Sequence, residues 1–129
     1  MLIRKGENVV KQQSGISAGI ASAESGKNFG SLKGDITLTN QRVVYESVSG
    51  FLSKKTTTVI DCPLEKVVNV AVEGLIGKKL VLQLPMELSS ELKMQSVGAA
   101  MMGEIPCKVS FGVKDPIEWE RAIRQTLAG

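Results

Sequence analysis

The chain contains no histidine, and only 4% of it is aromatic. The first absence removes the commonest general acid–base group and the commonest nitrogen ligand for metals. The two cysteines, Cys62 and Cys107, form no C-x-x-C pair and have no imidazole to activate them. A Cys–His nucleophile is therefore excluded, and two thiols without histidine are too few donors for a zinc centre. The second absence fixes the kind of core. With one Trp, one Tyr and three Phe, the interior has to be built from Val, Ile, Leu and Met. No apolar run approaches the ~20 residues of a membrane span. The opening MLIRKGENVVKQ lacks the apolar stretch of a signal peptide, and no N-x-[ST] sequon occurs. These absences predict a cytoplasmic protein with two free thiols and no cofactor.

What is present suits one domain, residues 1–129. A chain of this length buries roughly two-thirds of its unfolded surface and folds without metals or disulfides. Its 16 Lys+Arg are mixed with 13 Asp+Glu, leaving a net charge of +3. That permits attraction to an anionic surface without requiring it. Nucleic acid is not an expected partner, because the basic residues are not concentrated and stacking aromatics are missing.

The strongest local signal is GDITLTNQRVVYES, residues 34–47. Ile36 and Leu38 fall on one face, with Asp35, Thr37 and Thr39 on the other. After Asn40-Gln41, Val43 and Tyr45 share a face and Val44 and Glu46 the opposite one. Period two on both sides of a short turn predicts a β-hairpin, with Asn40 suited to a left-handed turn position. Similar strand signals occur at 7–12 (ENVVKQ), 56–61 (TTTVID), 66–73 (KVVNVAVE), 79–84 (KLVLQL) and 106–113 (PCKVSFGV). Seven short strands at this spacing predict an antiparallel meander closing as a sandwich or barrel. The end of the chain changes period. Asp115 suits a cap, Pro116 the first helical position and Glu118 a capping box. Trp119, Ala122, Ile123, Thr126 and Leu127 then line one helical face, with Trp119 placed to plug the open end of the barrel.

Two segments break the strand rhythm. Residues 13–33 are rich in Ser, Gly and Ala and read as a long connection with, at most, short strand extensions. Residues 85–104 hold Met86, Met94, Met101 and Met102, four of the five methionines. Within the first segment ASAESGKN, residues 21–28, approaches a phosphate-binding G-x-x-x-x-G-K-[ST] loop. Ala21 replaces its first glycine and Asn28 its metal-binding hydroxyl, and no helical pattern follows, so nucleotide binding is not expected.

Seven strands and a capped helix with an inward tryptophan resemble the pleckstrin-homology superfold. Within it, the 34–47 stretch is similar to the strand–turn–strand signature of GRAM domains and related bacterial pleckstrin-homology-like domains. The residues that match are Gly34, Leu38, Thr39, Asn40, Arg42, Val43, Val44 and Tyr45, and the resemblance runs over about residues 34–127. It implies an α+β, mostly β fold: a pleckstrin-homology-like barrel of about seven antiparallel strands capped by a C-terminal helix. It also implies a non-catalytic binding module, for an anionic lipid of the phosphoinositide type, a peptide or another protein.

Three features are candidate contacts. GFLSKK (50–55) and GLIGKK (74–79) each carry an apolar tip beside two lysines, so Phe51, Leu52, Lys54, Lys55, Lys78 and Lys79 are candidates for an anionic lipid. The alternative is that the apolar residues fold back into the core. Met86, Met94, Met101 and Met102 are candidates for a protein partner or a second copy of the chain. Here the alternative is that the insert packs on its own barrel. Arg42 reads either as a phosphate ligand or as a strand-start arginine paired with an acid. The carboxylate pairs Asp61/Glu65 and Glu118/Glu120 read as a strand end and an exposed helix face.

Overall fold

A computed structural model describes residues 2–23, 26, 28–49, 55–74, 77–87 and 104–128. Seven strands form one sheet: β1 (Val9–Ser22), β2 (Asn28–Thr39), β3 (Arg42–Ser49), β4 (Lys55–Pro63), β5 (Asn69–Glu73), β6 (Lys79–Glu87) and β7 (Glu104–Phe111). A 3-10 turn, Leu64–Lys66, lies between β4 and β5, and helix α1 (Pro116–Ala128) follows β7. The order across the sheet is β4-β3-β2-β1-β7-β6-β5, and every neighbouring pair is antiparallel. The mostly β composition and the C-terminal helix are as the sequence predicts.

The barrel does not close. An all-antiparallel ring needs an even number of strands, and seven leaves β4 and β5 running the same way. Closing the ring would need a parallel pair, whose crossover takes about a dozen residues. Only residues 64–68 separate the two strands. The sheet therefore keeps two edges, β4 and β5.

The small-residue segment 13–33 also differs from expectation. It is not a loose connection: β1 runs on to Ser22 and β2 starts at Asn28, so most of it is two paired strands. Ile16, Ala18 and Ile20 alternate inward and are fully buried. Their partners on the outer face are Ser17, Gly19 and Ala21, so the period-two signal is carried by residues of little hydrophobic contrast. A register shift between Gln13 and Ile16 bends β1 where Gly15 has φ +67, and its amide bonds to the Asp35 carboxylate. Beyond the bend, β1 pairs with β7 as well as β2. Asn28, the last position of the phosphate-loop near-match, begins a strand and not a helix.

The core is aliphatic, as the scarcity of aromatics requires. Ile36, Leu38, Val43, Leu80, Leu82, Leu84 and Val109 are fully buried around the Tyr45–Phe111 pair, whose ring centroids are 5.6 Å apart. Gly34 is required by geometry: a Cβ there would collide with the backbone carbonyl of Glu46 on β3. Helix α1 packs on β5, β6 and β1, burying Trp119 and Ile123. Leu127, expected on the buried face, is exposed. The capping box does not form. Glu118 and Trp119 donate their amides to the Asp115 carbonyl, and the Glu118 carboxylate pairs with Arg121 at 2.8 Å instead.

Candidate functional site

The T-N-x-R signature between β2 and β3 is a clamp on the segment that precedes β1. Asn40 does not adopt a left-handed backbone, since Asp115 is the sole described non-glycine residue with positive φ. It acts through its side chain: Oδ1 accepts from the Asn8 amide at 2.7 Å and Nδ2 donates to the Gly6 carbonyl at 3.0 Å. The Thr39 hydroxyl accepts the Gln41 and Arg42 amides, which forms the turn, and donates to Glu7 at 2.7 Å. Arg42 donates Nε to Glu7 at 2.8 Å, Nη1 to Asp61 at 2.8 Å and Nη2 to the Leu2 carbonyl at 2.7 Å.

Both members of the central pair are buried, with Arg42 6% and Glu7 5% exposed. Hydrogen bonding to Arg42 holds the Glu7 carboxyl down at about 2 against the opposing effect of burial, with help from the Arg4 amide and the Thr39 hydroxyl. The same bonds raise Arg42 above its ordinary value. A guanidinium has five N–H donors, and Arg42 commits Nε, Nη1 and Nη2 to protein oxygens. Of its two sequence readings, pairing with an acid is the one observed.

Two open grooves flank Arg4. One, of about 490 Å³, runs between Leu2, Ile3, Val44 and Thr58. The other, of about 510 Å³, lies between the Asn40–Gln41 turn, Leu64 and the helix end at Leu127. Neither contains a poised reactive group. Among the described residues no cluster suits a metal ion, and no buried side-chain nitrogen or oxygen lacks a partner. Cys62 and Cys107 are buried and form no disulfide, and burial pushes Cys107 up to about 11. Burial also raises Tyr45, to about 12, while its hydroxyl donates to the Ile16 carbonyl. Both groups remain protonated at neutral pH.

Of the sequence candidates, Phe51, Leu52, Lys54, Met94, Met101 and Met102 lie outside the described residues. Lys55 opens β4, and Met86 lies in β6 opposite Ile105. Lys78 and Lys79 are exposed at the start of β6. The antiparallel ladders put Lys55 and Lys79 at opposite ends of the sheet, because β4 and β6 run in opposite directions across it.

Sequence reasoning missed the inequality of the two edges. The β5 edge is five residues long and lies under α1, where Arg124 donates Nη2 to the Val70 carbonyl at 2.6 Å. The β4 edge is nine residues long, and Thr56, Thr57 and Thr58 are all exposed. From Thr56 to Ile60 it has no charge and no proline. One bulge, at Val59, interrupts its pairing with β3. TTTVI was legible as a strand, but not as an edge, because edge status depends on which strands pair.

No protein-family model and no curated protein matches the chain. A chain of the solved structure described as "The 8S snRNP Assembly Intermediate" is similar to it in fold. The TM-score is 0.58 and the identity 11%, with 93% of this chain and 82% of that one covered. At that identity the likeness concerns the fold alone.

Proposed function

We propose that this chain is a non-catalytic binding domain of the pleckstrin-homology-like kind, and that it works by protein contact along the uncovered edge of its sheet. The observation that carries this reading is the difference between the two edges. An exposed strand edge offers unpaired amides and carbonyls to an added strand. The β5 edge is short and covered by the helix, while β4 offers an uncharged, β-branched run. The non-catalytic half of the reading draws support from the satisfied buried polar atoms and the protonated Cys107 thiol among the described residues. The lipid reading needs the two lysine-bearing stretches to meet one surface. Lys55 and Lys79 begin strands at opposite ends of the sheet, which weighs against a shared patch. No described helix is long and apolar enough to cross a membrane, which leaves peripheral contact untouched.

Panning a displayed random-peptide library against the purified chain tests this. The expected binders are extended peptides that shift the amide resonances of Thr56–Ile60. Two results together would overturn the reading: binders that map elsewhere, and co-sedimentation with phosphatidylserine vesicles that salt weakens. Loss of vesicle binding on changing Lys54, Lys55, Lys78 and Lys79 to Gln would then establish the lipid reading.

A further inference from the structure

We infer that the strand received by the β4 edge is β4 of a second copy of this chain, paired antiparallel about a two-fold axis at Thr57. The inference rests on the edge reading above and names its partner. Two observations select a second copy. The exposed run Thr56-Thr57-Thr58 reads the same in both directions. A two-fold antiparallel copy therefore sets Thr57 against Thr57 of the partner subunit and Thr56 against Thr58 of the partner subunit. Threonine pairs across strands are favourable. Finally, the second edge is already covered by α1. An edge that pairs with itself while the other is closed gives a dimer and not a fibre.

The bulge at Val59 confines regular pairing to the first half of β4. A contact this short falls below the ~1,200 Å² of a stable interface, so the dimer is weak and concentration-dependent. Sedimentation equilibrium of the full chain tests it. The expected mass rises with concentration from 13.8 kDa towards twice that value. Thr57→Lys and Thr57→Glu each set a charge against its own copy, so each variant alone is expected to stay at the monomer mass with an unchanged circular dichroism spectrum. Mixing the two in equal amounts is expected to restore the dimer, which structural damage would not do. A wild type that stays monomeric across the range overturns the inference, as does a dimer that survives both changes. A monomeric wild type whose β4 amides still shift with a selected peptide removes the second copy and leaves the edge reading standing.

Discussion

The β4 and β5 edges belong to the same sheet and have the same unsatisfied backbone in principle, yet the chain treats them differently. β5 is cut to five residues and lies against a helix that lends a guanidinium to one of its carbonyls. β4 is almost twice as long and faces solvent through three threonines. The parity of seven antiparallel strands forces both edges to exist. It does not decide which of them is covered. That is decided by α1, whose Trp119 and Ile123 anchor it on the β5–β6 side.

Breaking the covered side should have the largest effect. Trp119→Ala removes the anchor and is expected to cost about 3–5 kcal/mol, as large-to-small core changes do, read as a fall in the denaturant midpoint. A loss below about 1 kcal/mol would mean that the helix does not hold the β5 side.

Next comes the clamp at the base of β3, the strand that supports β4. Arg42→Met leaves Glu7 without its partner and is expected to cost about 3 kcal/mol by the same measurement. The pH dependence follows from Glu7. Its folded value of about 2 lies below the ordinary 4.5, so its contribution is complete above pH 4.5 and is lost as pH falls from there towards 2. Glu7→Gln should flatten acid unfolding across that window. An unchanged acid profile would mean that another carboxylate carries the dependence.

Arg124→Gln uncovers the Val70 carbonyl while leaving the core intact, so about 1 kcal/mol is expected. Its sharper signature is faster amide exchange confined to β5. Thr57→Lys should have the smallest effect on the fold, within about 0.5 kcal/mol, because the position is exposed. A large loss there would show that β4 is not the free edge.

How much of this was legible in the sequence depended on contrast and distance. The hairpin around Asn40 and the helix from Pro116 stood out because each alternates strongly within a few residues. The arms of β1 and β2 did not, because Ser17, Gly19 and Ala21 differ little in polarity from Ala18. The T-N-x-R signature was visible, but its partner was not. Glu7 lies 35 positions before Arg42, and no local pattern links them. The open barrel was hidden for a similar reason: the break falls between β4 and β5 because β1 pairs antiparallel with β7, a contact between the two ends of the chain.

Residue-resolved hydrogen exchange on dilute protein tests the inequality of the edges most directly. The outward-facing amides of Thr56–Thr58 are expected to exchange faster than those of Val70–Val72, by roughly an order of magnitude or more. Equal protection at the two edges, or slower exchange along β4, would contradict the claim that one edge is covered and the other free.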